Sequence, residues 1–165
     1  MGAVFDYLQG RGVTFQVIPH RPAATAVGEA RPPGVTEDEV VETIVVVANF
    51  GHAIMVVPSS RKLDMDLVRI AAADREARLA TERELELTFP DYEPGALPPL
   101  ALMLLAPMYV DPAVVEREFI VFAAGRQDVS IRMATKDLFG TDPVVITPLT
   151  AESRTIAAAG ADAAS

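Results

Sequence analysis

The run Val40–Val47 is almost entirely β-branched. Side chains of that kind lose rotamer freedom in a helix but pack well on a pleated sheet. Asn49-Phe50-Gly51-His52 reads as a turn, after which Ala53–Val57 forms a second apolar run closed by Pro58. Two such strands in succession predict a hairpin at the centre of a sheet, and the remaining elements have to be arranged around it. The chain has 165 residues, half of them hydrophobic. That suffices for one domain with a real core and leaves little room for a second.

The flanking segments predict short elements of both kinds. Val4, Phe5 and Leu8 have helical spacing and end at Gly10 and Gly12, and Val13, Phe15 and Val17 alternate as a strand stopped by Pro19. Thr25 is expected to cap a short helix running to Ala30, ahead of Arg31-Pro32-Pro33-Gly34. Thr36-Glu37-Asp38-Glu39 and Thr81-Glu82-Arg83-Glu84 both have the capping-box pattern. Asp64 caps a helix to about Ala73, and Arg78–Ala80 reads as a short strand. Glu82, Glu84 and Glu86 read as a solvated helix face. Asp91–Pro99 holds three prolines and one glycine in nine residues, which excludes regular structure and makes the segment stiff. Strands are expected at Ala101–Leu105, Met108–Val110, Glu118–Ala123, Val129–Met133 and Val144–Ile146, with a helix opened by Asp111-Pro112. These elements sum to a mixed α/β domain of about seven strands and four or five short helices. The domain is expected over residues 1–150, followed by a flexible Ala-rich tail at 151–165.

Composition narrows the chemistry. Cysteine is absent, which removes disulfides, thiolate nucleophiles and cysteine metal sites. His20 and His52 are far apart and lack metal-ligand spacing, so no metal and no cofactor is expected. The net charge of −9, from 23 acids and 14 bases, argues against DNA or any partner held mainly through phosphates. A pocket that holds only a terminal nucleotide remains compatible with it. No apolar run reaches the roughly 18 residues of a membrane helix, and no basic-then-apolar leader opens the chain. The expected partners therefore exclude membrane, and the expected compartment is the cytoplasm.

Four stretches in register carry a family resemblance. They are YLQGRGVTFQVIPH with ATAVGEA, VVETIVVVANFGHAIMVVPSSRKLDMDLV, LATERELELTFPDYEPGALPPL, and MYVDPAVV with EFIVFAAGRQDVSIRMATKDL. Over roughly residues 3 to 140 the chain resembles the YbaK/EbsC-like family, the free-standing aminoacyl-tRNA deacylase domains related to the editing insert of prolyl-tRNA synthetases. The resemblance implies a curved, mixed sheet of six to seven strands forming a partial barrel ringed by short helices. It implies binding of the 3′ aminoacyl end of tRNA, with a synthetase as a possible partner, and trans-editing hydrolysis of a mischarged ester. In that mechanism no residue is a covalent nucleophile; the protein positions a water, and the substrate's ribose hydroxyl assists. The family's G-x-x-x-P loop matches Gly95-Ala96-Leu97-Pro98-Pro99, where a glycine lets backbone N–H groups approach a carbonyl oxygen. His20 matches a loop histidine that lines the pocket in some members, and Thr25 offers a hydroxyl to the pocket besides capping its helix.

The chain departs from the family at one position. The resemblance places a lysine on the central strand, and here Glu42 stands in its place. A period of two puts Glu42 on the face of Ile44 and Val46, an acid on an apolar strand. The inherited mechanism cannot run unchanged, because reversing a unit charge about 4 Å from its partner alters the interaction by several kcal/mol at an effective dielectric near 20. Four outcomes stay open. Glu42 acts as a general base on water; it binds a cationic or amine-bearing group; the site is silent and the domain is a ligand-binding or interaction module; or Glu42 pairs with an arginine while Lys62 or Lys136 replaces the lysine.

Overall fold

The computed structural model describes residues 2–22, 35–140 and 142–154. The expected hairpin is its centre. Strand β2 (Val41–Ala48) pairs antiparallel with β3 (Gly51–Pro58) from Val41↔Pro58 to Ala48↔Gly51. Gly51 adopts φ 119°, a conformation that a side chain would strain. Both faces of β3 are covered, which is why its sequence is apolar without alternation. Ile54 and Val56 face the main core, while Ala53, Met55 and Val57 pack with Val68 and Leu149 on the other side.

Around the hairpin, the described residues form two sheets of five and three strands. The larger adds β4 (Arg78–Leu79) beside β2, then β5 (Met108–Val110) and β8 (Val145–Ile146) in parallel beyond β3. The smaller has β1 (Phe15–Pro19), β7 (Val129–Ala134) and β6 (Phe119–Ala123), all antiparallel. One parallel bridge, Val40↔Val121, joins the sheets. The result is the expected mixed α/β fold with a curved, unclosed barrel, although its eight strands exceed the predicted number. Pro19 is the last residue of β1, which ends there as expected; β1 is an edge strand, where a missing N–H costs no ladder bond.

Short helices pack around the sheets: α1 (Gly2–Gly10), α2 (Met65–Ala71), α3 (Glu82–Thr88), α4 (Ala101–Leu104), α5 (Pro112–Val115) and α6 (Thr135–Phe139). Asp64 caps α2 as expected, its carboxylate accepting from the N–H groups of Asp66 and Leu67. The segment Ala101–Leu105 is a helical turn and not the predicted strand. Ala, Leu and Met are strong helix formers, none is β-branched, and Leu105 ends the turn at φ 54°.

The two capping-box patterns have different fates. Thr81 forms the complete box with Glu84 at the start of α3. Glu84 is more than a solvated acid, because Arg78 holds its carboxylate through two hydrogen bonds of 2.7 and 3.1 Å. Those bonds, with the Thr81 N–H, lower its pKa to about 2. Thr36 makes no side-chain cap, since only the 3₁₀ turn Glu37–Glu39 separates it from the bridge at Val40. Glu39 instead lies 3.7 Å from Arg132. Thr81→Ala is therefore expected to lower stability by about 1 kcal/mol, and Thr36→Ala by much less, in paired urea titrations.

Candidate active site

Strand alternation defines a face outside the barrel. On β7, Val129, Ile131 and Met133 enter the main core, which leaves Ser130 and Arg132 on the opposite face. On β6, Ile120 and Phe122 point inward and Val121 outward, where it packs with Val35 and Val40. On β2, Val41 and Val45 point inward, so Glu42 shares the outer face with Val40. The bridge Val40↔Val121 places Glu42 and Ala123 two residues further along each strand, and Ala123 pairs with Ser130, which in turn pairs with Ile18. Ala123, Ser130 and Ile18 thus align across β6, β7 and β1, and Glu42 lies on β2 two residues beyond the bridge that joins it to β6.

His20 closes this row. Its backbone N–H donates to the Asp128 carbonyl at 2.9 Å, its Nε2 lies 2.8 Å from Ser130 Oγ, and its Nδ1 lies 2.8 Å from the Arg21 carbonyl. A carbonyl only accepts, so Nδ1 carries the proton. In the neutral ring Nε2 is then bare and accepts the Ser130 hydroxyl proton.

The Gly95–Pro99 loop is anchored to the turn between β6 and β7. The Gly125 N–H donates to the Ala96 carbonyl at 2.8 Å, the Glu93 N–H to the Gly125 carbonyl at 2.9 Å, and Gln127 Nε2 to the Pro94 carbonyl at 2.7 Å. Gly95 has φ 83°. Ala96, Leu97, Pro98 and Pro99 are buried, and no described group accepts from the N–H of Gly95 or Leu97. The turn Gly125–Asp128 therefore holds both the loop and His20. Thr25 lies outside the described residues.

Glu42 is exposed on one side, yet burial raises its pKa above the ordinary value of 4.5. Surface area and desolvation describe different things here: water reaches the carboxylate, while the strand surface beside it removes part of its solvation. No described hydrogen bond or ion pair reaches it. Arg132, an arginine on this outer face, stands 4.2 Å over the Phe119 ring besides its contact with Glu39. Lys136 lines a cleft of about 570 Å³ with Phe119, Thr135 and Phe139, at the end of the β6–β7 hairpin away from Ser130. Lys62 is exposed on the segment after β3. Beside the loop, a cleft of about 460 Å³ is lined by Glu86, Asp91, Tyr92, Glu93 and Arg126, and Arg126 is engaged by Asp128 at 2.8 Å. Burial, reinforced by Asp91, raises the Tyr92 pKa. The local field is acidic.

The raised pKa of Glu42 has a consequence for stability. Below pH 4.5 the group is protonated in both folded and unfolded chains and costs nothing. As pH rises through the elevated folded value, the folded state must ionise a desolvated carboxyl and loses stability. Glu42→Gln is expected to raise Tm at pH 7 and to leave it unchanged near pH 4, by thermal unfolding at both pH values.

Ser130 escaped the sequence reading. Its signal was the alternation Val129-Ser130-Ile131-Arg132-Met133, which marks an outward polar residue but does not reveal its histidine partner. Among the described residues, no group of three or more His, Asp or Glu side chains could hold a metal ion, and no helix is long and apolar enough to cross a membrane.

The fold is an open mixed barrel whose candidate site combines polar residues on the outer strand face with the glycine-proline loop. The aminoacyl-tRNA editing domain model matches residues 20–140, and the chain belongs to that family. Among solved structures, a hypothetical protein, APE2540, aligns with TM-score 0.79 and 25% identity over 89% of this chain and 98% of the other. A candidate trans-editing enzyme for prolyl tRNA synthetase aligns with TM-score 0.74 and 21% identity, covering 89% and 94%. A candidate signal transduction protein of Marinobacter aquaeolei VT8 aligns with TM-score 0.65 and 15% identity, covering 90% of this chain and 30% of that larger one. None of the curated proteins compared matches the chain in sequence. The fold is thus shared by proteins described in different terms, and function has to be argued from the site.

Proposed function

We infer that this chain is an aminoacyl-tRNA deacylase acting in trans on the 3′ end of a mischarged tRNA, with Glu42 binding the α-ammonium group of the esterified amino acid. The observation that carries this reading is the unpaired, partly desolvated Glu42 carboxylate on the same outer strand face as the His20–Ser130 pair. An aminoacyl ester carries its ammonium one carbon from the carbonyl that is attacked. A carboxylate that grips the ammonium therefore orients the reacting centre as well as binding the substrate. Burial, which raises the Glu42 pKa, leaves its carboxylate poorly solvated, and a bound ammonium would offset that loss.

The unengaged N–H groups of Gly95 and Leu97 are suited to stabilise the oxyanion that forms as the ester is attacked, and His20 is suited to accept the nucleophile's proton. The acidic cleft beside the loop disfavours a long phosphate track. Contact restricted to the terminal nucleotide, with a synthetase supplying further tRNA affinity, fits that field. Domain limits near residue 150 and a cytoplasmic setting accompany this proposal.

A second reading, a silent binding module on the same fold, is favoured by the loss of the lysine. Incubating the purified protein with a panel of mischarged tRNAs separates the two. The deacylase releases free amino acid from at least one aminoacyl-tRNA well above the spontaneous rate, whereas a binding module protects the ester or leaves it unchanged.

A further inference from the structure

We propose that the cleft at the end of the β6–β7 hairpin away from Ser130 binds a free α-amino acid with an apolar side chain, at a site separate from Glu42 and the Gly95–Pro99 loop. The cleft has a volume of about 570 Å³, and its lining includes Glu118, Phe119, Thr135, Lys136, Phe139 and Ile146. Clefts of ~300–1,000 Å³ are of the size that takes small ligands. The walls are largely apolar. Phe119 and Phe139 are half-buried, and Ile146, on the edge strand β8, is 54% exposed. An aliphatic side chain left in water beside two aromatic rings is a surface that an apolar group would cover.

Three polar groups of the cleft lack partners among the described residues. Lys136 and Glu118 are exposed and form no ion pair with each other or with another described group. Thr135 is 4% exposed, and its hydroxyl has no hydrogen-bond partner. A buried hydroxyl in that condition costs free energy until something bonds it. Arg117 also lines the cleft, but Asp38 holds its guanidinium at 2.9 Å. The backbone brings the free charges close together, because Phe119 pairs with Ala134 and the Thr135 N–H donates to the Glu118 carbonyl at 2.9 Å. An α-amino acid carries its ammonium and carboxylate on one carbon, so it calls for opposite charges at such short spacing. Lys136 takes the carboxylate, with the Thr135 hydroxyl as a further donor, and Glu118 takes the ammonium. The side chain then lies against Phe119, Phe139 and Ile146. A phosphate chain fits less well, since one free lysine beside a glutamate offers it little net attraction.

The inference does not depend on the deacylase reading, since it concerns binding at a different place on the chain. An amide NMR titration of the full chain with L-phenylalanine tests it. The expected result is saturable shifts at Phe119, Lys136, Phe139 and Gly140, with affinity lowered at least ~5-fold in Lys136→Gln and in Glu118→Gln. Both side chains are exposed, so neither substitution is expected to disturb the fold. Phenylalaninamide lacks the carboxylate and N-acetylphenylalanine lacks the ammonium; each is expected to bind at least ~5-fold more weakly than phenylalanine. Glu42→Gln is expected to leave the cleft shifts unchanged. No shift at these amides at about 10 mM L-phenylalanine, where even millimolar affinity would show, overturns the site and leaves the deacylase reading standing. Binding of N-acetylphenylalanine as tight as that of phenylalanine overturns the amino-acid assignment. Loss of the cleft shifts in Glu42→Gln overturns the separate location.

Discussion

Asp111→Ala is expected to destabilise the protein by about 3–5 kcal/mol, a large part of the stability of an ordinary domain. Asp111 is fully buried, and no arginine or lysine pairs with it among the described residues. Its charge is satisfied by donors alone. Oδ1 accepts from the Ala113 N–H at 2.9 Å and the Ser153 hydroxyl at 2.6 Å. Oδ2 accepts from the Leu149 and Thr150 N–H groups at 2.9 and 3.1 Å and from the Thr150 hydroxyl at 3.1 Å. Removing the carboxylate strands the N–H donors in a buried site and leaves the two hydroxyls only each other at 3.3 Å, and each unpaired donor costs about 1–3 kcal/mol before relaxation. The segment thereby released also carries Leu149, whose side chain covers β3. For a chain of this length the loss corresponds to a fall in Tm of roughly 10 °C or more. Hydrogen exchange should show the loss first at Leu149 and Thr150. A change below about 1 kcal/mol would mean that water replaces the carboxylate at little cost.

The second large effect is on activity. Under the proposed function, Glu42→Lys sets one ammonium group against another, so attraction becomes repulsion. Two unit charges 4 Å apart interact by about 4 kcal/mol at an effective dielectric near 20, and exposure on one side of Glu42 discounts this about twofold. Summed over the lost attraction and the new repulsion, roughly 3–4 kcal/mol remains, or about 10²–10³-fold in kcat/KM. The same substitution restores the family's usual residue type. A gain of deacylation in Glu42→Lys would therefore show that the scaffold still supports lysine-dependent chemistry and that the native chain has abandoned it.

Local signals in the sequence carried far, and distant pairings did not show. The hairpin of β2 and β3 was legible because its β-branched runs and its turn are contiguous. The Thr81 cap was legible because box and helix lie within four residues. The same pattern failed at Thr36, where the strand that starts at Val41 left no room for a helix. Ala101–Leu105 was misread because a short apolar run after two prolines fits strand and helix alike, and only propensity separates them. Of the candidate site, His20, Glu42 and the Gly95–Pro99 loop could be singled out by resemblance. The bond between His20 and Ser130 spans 110 residues, and the donors on Asp111 beyond its own helix lie 38 to 42 residues away. Such contacts depend on strand order and register, which no local pattern encodes.

The measurement that bears most directly on the central claim compares hydrolysis of an aminoacyl-tRNA with that of its Nα-acetylated form, by native protein and by Glu42→Gln. Acetylation removes the ammonium charge and keeps the ester. Native protein is predicted to hydrolyse the free-amine substrate at least ~10-fold faster than the acetylated one, and Glu42→Gln to lose most of that preference by slowing on the free amine. Equal rates on both substrates, or a preference that survives Glu42→Gln, would contradict the assignment of Glu42 as the ammonium site.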